Sequence, residues 1–108
     1  MIEMFLMLLK KSIENNTIQF ICRTKNKEFL AKFGWTVEDI YEFLYNELTP
    51  EDFVYKDKEK DSDFDDGDMY IFIKYASIEN EEIKIYIKIK YTSPDDFMVL
   101  ISFHEAER

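Results

Sequence analysis

The residues of this sequence that are best suited to chemistry lie in its last third, around one histidine and one tyrosine. His104, the only histidine, ends an apolar run in the stretch "VLISFHEAE", Val99 to Glu107. Histidine is the side chain whose pKa lies nearest neutrality, so it suits proton transfer. Two interpretations of His104 stay open: a catalytic base, or a surface residue at the end of a strand.

The strands that the sequence predicts give these residues a common face. Successive side chains of a strand point to opposite sides, so alternation in "EIKIYIKIKY", Glu82 to Tyr91, separates isoleucines from lysines and a tyrosine. Similar alternation runs through "MYIFIKY", Met69 to Tyr75, and "FMVLISFH", Phe97 to His104. If helices cover the isoleucine face, the opposite face displays Tyr70, Phe72, Lys74, Lys84, Tyr86, Lys88, Ser102 and His104.

The chemistry of this second face points towards nucleic acid. Lysines bind phosphates, and aromatic rings stack on unpaired bases, so a basic and aromatic face is suited to single-stranded RNA. Arg23 and Lys25, in "RTKNKE", supply either a second phosphate contact or an ordinary helix surface. By pattern alone, a solvated sheet face, on which Lys and Tyr are common, remains the simpler interpretation.

The composition predicts one cytoplasmic domain, residues 1–108. Apolar residues make up 46% of the 108 residues and aromatic residues 17%, which supports a real core and excludes intrinsic disorder. Cys22 has no second cysteine to pair with, which fits a reducing compartment, and its apolar neighbours predict a small buried side chain. The apolar run "MFLMLL" is too short to span a membrane, so no membrane partner is expected.

The charge distribution limits the partners further. A net charge of -9 repels phosphate backbones, so the chain by itself is not expected to bind DNA. Residues 51–68 hold nine acids and three lysines, and the remainder is close to neutral. We expect a mobile acidic loop over 57–68, because mostly charged residues bury too little apolar surface to offset ordering. The run "DSDFDDG" within it has partial EF-hand spacing, but Gly67 falls one position late, which favours a solvated loop.

The order of elements predicts an α+β fold, with a helical half over about 1–56 and antiparallel strands over about 69–104. An N-terminal helix precedes a short strand, "TIQFIC", and a short helix, "KNKEFLAKF", closed by Gly34. Thr36 with Asp39 predicts the capping box of a third helix, and "TPED" is a further helix start. We therefore expect the N-terminal helices on one face of a three- to four-stranded antiparallel sheet.

Several segments together resemble the MqsR family of toxins from type II toxin–antitoxin systems. They are "RTKNKEFLAKFGWTVEDIYEFLYNELTPEDF", the acidic loop, "MYIF" with its following lysine, "EIKIYIKIK" and "ISFHEAE", in that order and spacing. The resemblance spans about Thr17 to Glu107. It implies a RelE-like fold and a metal-independent endoribonuclease that needs no cofactor, cleaves mRNA and is neutralised by a cognate antitoxin, here suspected to be of helix-turn-helix type.

The resemblance also assigns residues, one at a time. The family's catalytic tyrosine matches Tyr86, and the basic residue that ends its last strand matches His104. The basic position after "DF" falls on Tyr55 or Lys56, with an ambiguity of one residue. The family's glutamine falls on Ile71, so its role is lost or moves to a neighbouring residue. The implied catalytic set is Tyr86, His104, Lys88 and Lys56, and the implied RNA-binding set is Lys74, Lys84, Tyr70, Arg23 and Lys25.

The chemistry of RNA cleavage fits these residue types. Cleavage through the 2′-hydroxyl needs a base for that hydroxyl, an acid for the 5′-oxygen, and cations for the phosphorane. One histidine and one distant cysteine make no zinc site, so no metal is expected. Two alternatives of another class stay open: a non-catalytic interaction protein, either a degenerate toxin fold or an acidic inhibitor of a nucleic-acid-binding partner, and a regulatory domain that does not act on nucleic acid.

Overall fold

The computed structural model describes residues 2–58, 68–92 and 97–107 and shows an α+β fold. Three α-helices and one 3-10 turn lie along a five-stranded sheet. The elements are α1 (Ile2–Asn15), β1 (Ile18–Phe20), α2 (Thr24–Phe33), α3 (Val37–Glu47), the 3-10 turn (Pro50–Asp52), β2 (Phe53–Lys58), β3 (Asp68–Ile78), β4 (Glu81–Thr92) and β5 (Phe97–Glu105).

The sheet is mixed, which differs from the antiparallel sheet that the sequence predicts. Its strand order is β1-β5-β4-β3-β2, with β1 parallel to β5 and the other neighbours antiparallel. The sequence pattern misses β2, whose residues it assigns to the helical half and the acidic loop. Strand β2 carries Lys56, Asp57 and Lys58, and charged residues hide an edge strand from propensity-based prediction.

The acidic loop expected over 57–68 is shorter in the structure. Asp57 and Lys58 pair with β3 as part of β2, and Asp68 begins β3. Residues 59–67 lie outside the described residues. The expected mobility of this loop and its EF-hand-like run therefore stay predictions.

The local helix signals in the sequence are confirmed. Gly34 ends α2 in the left-handed conformation, with φ of 68°, and its N–H donates to the Leu30 carbonyl. At the start of α3, the Asp39 N–H donates to the Thr36 hydroxyl at 3.1 Å, and the Thr36 N–H donates to the Asp39 carboxylate at 2.9 Å. This capping box satisfies N–H groups that have no acceptor inside the helix.

The helices cover the isoleucine face of the sheet, as the alternation predicts. Four isoleucines of β4, from Ile83 to Ile89, are at most 5% exposed and pack with apolar residues of all three helices. The side chains between them on β4 are only half-buried. The face opposite the helices is called the open face below. The main apolar contacts to the helix-covered face come from Phe5, Leu6, Leu9, Phe29, Ile40, Leu44 and Leu48.

The register of β3 against β4 corrects one face assignment. Glu79 and Asn80 form a two-residue turn with φ values of 55° and 68°, and the strands leave it with Ile73 opposite Tyr86 and Phe72 opposite Ile87. Directly opposed residues of paired strands share a face of the sheet. The residues of β3 that were predicted on the open face therefore lie on the helix-covered face, and the others lie on the open face. The helix-covered residues of β3 are Tyr70, Phe72 and Lys74; its open-face residues are Met69, Ile71, Ile73 and Tyr75.

Candidate active site on the open face

The open face brings Tyr86 and His104 together. The two residues lie directly opposite each other on β4 and β5. Their ring centroids are 5.6 Å apart, with an interplanar angle of 32°. Both side chains are half-buried, so each keeps a surface that a ligand can reach. The expected pairing of these two residues on one face is present.

The hydrogen bonding of His104 defines which of its nitrogens is available. Its Nδ1 lies 2.9 Å from the carbonyl oxygen of Glu105. A carbonyl oxygen only accepts hydrogen bonds, so this contact favours the tautomer with the proton on Nδ1. In that tautomer Nε2 carries the lone pair, and it is the atom that can accept a proton from a bound molecule.

The environment of Tyr86 keeps its phenol protonated. Burial is the main cause that raises its pKa above the ordinary value of 10.0. The neighbouring Tyr55 adds to this through charge repulsion and a side-chain hydrogen bond, and the Asp57 carboxylate adds a further increase in the pKa. Near neutral pH, Tyr86 is therefore a proton donor and not a phenolate.

A second cross-strand pair lies next to the first. Lys88 of β4 is opposite Ser102 of β5 on the open face. Lys84 lies on the same face of β4, two residues before Tyr86. Ser102 is only 5% exposed, whereas Lys88 is half-buried. Lys84 also places its ammonium 5.9 Å from the ring centroid of Tyr75. The expected placement of Lys84 and Lys88 beside Tyr86 is thus present.

A β-bulge in β5 gives Ser102 and His104 their orientation. Lys88 pairs with Ser102 and Ile89 pairs with Leu100, so Ile101 is an extra residue on β5. The extra residue reverses the alternation along the strand. Met98 and Leu100 therefore lie on the helix-covered face, where both are fully buried, although strict alternation from Ser102 and His104 would place them on the open face.

Asn26, in the first turn of α2, binds the backbone at this bulge. Its side-chain amide donates to the carbonyl oxygens of Ile101 at 2.9 Å and Ile21 at 2.8 Å. Its carbonyl oxygen accepts from the Phe103 N–H at 3.0 Å. Asn26 is 0% exposed, and all three bonds satisfy backbone groups at or near the bulge. The sequence carries no signal that distinguishes Asn26 from a surface asparagine, so it was missed.

Two neighbouring cavities adjoin His104 where α2 meets β5. The larger, of about 520 Å³, is lined by Cys22, Arg23, Thr24, Lys25, Asn26, Ser102 and His104. The smaller, of about 230 Å³, is lined by Lys25, Glu28, Phe29, Lys32, His104, Glu105 and Glu107. The fold therefore brings the separately predicted Arg23 and Lys25 to His104.

Acidic side chains near His104 limit the positive charge of this region. Lys25 forms an ion pair with Glu107, which lowers the pKa of that carboxyl through the hydrogen bond and charge of Lys25. Lys32 forms an ion pair with Glu105 at 2.8 Å. Arg23 makes no ion pair with the described part of the chain, so it is the cation of the larger cavity with no competing carboxylate.

Lys74 is not part of this site, contrary to the sequence prediction. It lies on the helix-covered face and forms an ion pair with Asp52 of the 3-10 turn at 3.1 Å. The two side chains are only 17% and 16% exposed. Lys74 therefore holds the 3-10 turn against the sheet and does not reach the open face.

Tyr70 and Lys56 also lie on the helix side of the sheet. Tyr70 stacks on Phe5 of α1, with ring centroids 3.9 Å apart. Lys56 is paired with Tyr70 and places its ammonium 5.7 Å from that ring, and it forms an ion pair with Asp68 at 3.7 Å. A register shift at Val54 puts Tyr55, not Lys56, on the same face as Tyr86. Of the two positions, Tyr55 is the one that shares the open face with Tyr86.

Cys22 differs from its predicted state. The sequence predicts a buried side chain, but Cys22 is exposed and lines the larger cavity. Strand β1 ends at Phe20, two residues earlier than the apolar run suggests, so Cys22 falls in the connection to α2. An apolar neighbourhood in sequence did not indicate burial here.

The described residues contain no group of three or more His, Cys, Asp and Glu side chains that could hold a metal ion. Among them, no helix is both long and apolar enough to cross a membrane. Comparison with models of known protein families found no match for the chain, and no curated protein matches it either. The function must therefore be argued from the geometry of the open face.

Proposed function

We propose that this protein is a metal-independent endoribonuclease with a RelE-like fold, an MqsR-like toxin that cleaves mRNA through the 2′-hydroxyl. The observation that carries the proposal is the cross-strand pair of Tyr86 and His104 on the open face, next to a cavity lined by Arg23 and Lys25. Base, acid and cations are the groups that this reaction needs.

Each group has a role that its environment supports. The Nε2 atom of His104 takes the proton from the 2′-hydroxyl, which attacks the adjacent phosphorus. Tyr86 donates its hydroxyl proton to the departing 5′-oxygen, because its raised pKa keeps the phenol protonated until then. Lys88 stabilises the negative phosphorane from the neighbouring cross-strand pair. The products are a 2′,3′-cyclic phosphate and a 5′-hydroxyl, so protons and charge balance without a metal.

Under the same proposal the protein acts in the cytoplasm and is neutralised by an antitoxin. The antitoxin would have to cover the open face or displace RNA from it. Lys84 and Arg23 remain RNA contacts in this proposal, whereas Lys74, Tyr70 and Lys56 have no place in it because they lie on the helix side. The glutamine role of the family has no counterpart at Ile71, which is 1% exposed.

The test is cleavage of a single-stranded RNA by the purified protein in the presence of EDTA. Tyr86→Phe and His104→Gln should each lower the cleavage rate about 100-fold or more, as loss of a general acid or base does. Tyr45→Phe, which removes a tyrosine hydroxyl on α3, should cleave at the wild-type rate. The DNA oligonucleotide of the same sequence should remain intact, because it has no 2′-hydroxyl. Full activity of both site variants would contradict the assignment.

A non-catalytic interaction protein is the second candidate, and the charges favour it. The net charge is -9, and Lys25 and Lys32 near His104 are neutralised by Glu107 and Glu105. Such a protein would bind a basic partner, cut no RNA and cause no growth arrest when expressed without an antitoxin. If the wild type neither cleaves RNA nor arrests growth, the interaction protein is favoured over the endoribonuclease.

A further inference from the structure

The larger cavity beside His104 is lined by a nearly buried serine. Ser102 is 5% exposed and lines the cavity. No side-chain hydrogen bond of Ser102 is found among the described residues, and no buried side-chain nitrogen or oxygen there lacks a partner, so its hydroxyl is accessible from the cavity. A hydroxyl that lines a cavity can donate a hydrogen bond to a polar ligand bound there.

The N-terminus of α2 opens into the same cavity. The first backbone bond of this helix joins the Lys27 N–H to the Arg23 carbonyl, so the N–H groups of Thr24, Lys25 and Asn26 come before the first intrahelical donor and have no acceptor within the helix. The cap residue, Arg23, supplies no side-chain hydrogen bond, and the first turn contains no acidic residue. Free N–H groups and the positive end of the helix dipole favour an anion at such a position.

Two cations flank this position. Arg23 and Lys25 both line the cavity. A guanidinium group recognises phosphate through two parallel hydrogen bonds, and an ammonium adds a point charge. Lysines in the first turn are unfavourable with the helix dipole, since like charges are brought together, and a bound anion would relieve this repulsion.

We propose that the cavity between the N-terminus of α2 and Ser102 is a phosphate-binding subsite that holds an RNA backbone phosphate beside His104. Its donors are the first-turn amides of α2, the Ser102 hydroxyl and Arg23, with Lys25 as a second cation. The inference rests on the proposed endoribonuclease function for the identity of the ligand. The anion site itself rests only on the geometry of α2 and β5.

Glu107 is the competitor of the phosphate in this arrangement. Its carboxylate forms an ion pair with the Lys25 ammonium, and both side chains are more than half exposed. A phosphate bound at α2 would draw Lys25 away from Glu107. Removal of the Glu107 charge should therefore tighten phosphate binding, whereas removal of Arg23 should weaken it. Arg23 lines the larger cavity and Glu107 the adjoining smaller one, and opposite effects from these two residues distinguish this site from a general response to net charge.

The experiment is a titration of the ¹⁵N-labelled protein with inorganic phosphate, followed by amide chemical shifts. The amides of Thr24, Lys25 and Asn26 should move. Arg23→Gln should weaken binding about tenfold and Ser102→Ala several-fold, as loss of a hydrogen bond to a charged group does. Glu107→Gln should tighten it about threefold, through loss of one neighbouring like charge near the surface. Amide dispersion like that of the wild type shows that each variant is folded.

Charge-matched controls lie outside the cavity. Lys27→Gln removes a cation from the same helix, and Glu51→Gln removes an acid from the 3-10 turn, so both should bind phosphate within twofold of the wild type. Wild-type affinity in Arg23→Gln and Ser102→Ala would overturn the subsite, as would equal effects of Glu107→Gln and Glu51→Gln.

RNA cleavage by the same variants separates this inference from the proposed function. The KM for RNA should rise in Arg23→Gln and Ser102→Ala. Phosphate binding as described, with no RNA cleavage by the wild type, would leave an anion site and remove the endoribonuclease. Cleavage by the wild type with an unchanged KM in both variants, and no phosphate-dependent shift at α2, would keep the endoribonuclease and remove the subsite.

Discussion

Strands β3 and β4 carry the same kinds of residue and use them on opposite faces of the sheet. On β4, Tyr86 and Lys88 lie on the open face with His104. On β3, Tyr70 packs on α1, and Lys74 forms an ion pair beneath the helices. A tyrosine and a lysine at alternating positions of a strand therefore do not show which face they occupy.

The two strands differ in how clearly the sequence separates their faces. In β4, isoleucines alternate with charged residues and a tyrosine, so only one face is apolar enough to meet the helices. In β3, "DMYIFIKYASI" has apolar residues in both alternating sets, and Ile71 and Phe72 are both nearly fully buried. The phase of β3 is set by its register against β4 and not by its own pattern.

The largest effect should come from Asn26, whose side chain binds the backbone at the β5 bulge that precedes His104. Asn26→Ala leaves two carbonyl groups and one N–H without their partner, at about 1 to 3 kcal/mol for each buried group. We expect the free energy of unfolding in urea to fall by about 3 kcal/mol or more. The matched control, Asn46→Ala on the exposed side of α3, should change it by less than about 0.5 kcal/mol. A loss below 1 kcal/mol in Asn26→Ala would show that the bulge does not depend on this side chain.

The next effect compares the two lysines directly. Lys74→Met leaves Asp52 largely buried without its cation and should lower the free energy of unfolding by about 2 kcal/mol, while RNA cleavage persists. Lys88→Met should change stability by less than about 0.5 kcal/mol but lower RNA cleavage strongly. Urea unfolding and cleavage assays on both variants test this. The comparison of the two strands fails if the Lys74 variant loses cleavage but not stability.

A smaller effect concerns the turn that sets the β3–β4 register. Glu79 and Asn80 both have positive φ, which costs free energy for residues other than glycine, asparagine or aspartate. Replacing the pair by Asn-Gly should raise the free energy of unfolding by about 1 kcal/mol, because that pair suits the turn. Thermal or urea unfolding measures the gain. Tyr70 should stay on the helix side; its ring contact with Phe5, seen by NMR, checks this.

The smallest effect is a pH dependence that belongs to Tyr86. Its pKa in the folded protein is above the ordinary value of 10.0, so as the pH rises past that value the unfolded chain loses a proton that the folded chain keeps. The stabilisation that the folded protein gains from keeping this phenol neutral is therefore complete below pH 10, and the free energy of unfolding declines above that pH. Between pH 9 and 11 the wild type should lose more unfolding free energy than Tyr86→Phe, in which the shift is absent. Equal losses would mean that Tyr86 is not held neutral by burial.

The sequence by itself determined the elements whose signals are local. Gly34 and the Thr36–Asp39 capping box end and begin helices through backbone groups a few residues away, so composition and spacing suffice. The alternation of β4 also determined its buried face, and with it the place of Tyr86 and Lys88. The α+β class followed from the order of these elements.

The tertiary structure alone decided everything that depends on pairing between distant segments. The phase of β3, the charged edge strand β2 and the parallel strand β1 depend on neighbours that are far away in sequence. At the β5 bulge, the Ile101 carbonyl accepts a hydrogen bond from Asn26, which lies 75 residues earlier in the sequence. Local patterns report only which side chains alternate, whereas hydrogen-bonded register and long-range polar contacts fix the face on which each set lies. For that reason the sequence indicated Tyr86 and His104, but only the fold placed Arg23 and Ser102 in one cavity beside His104.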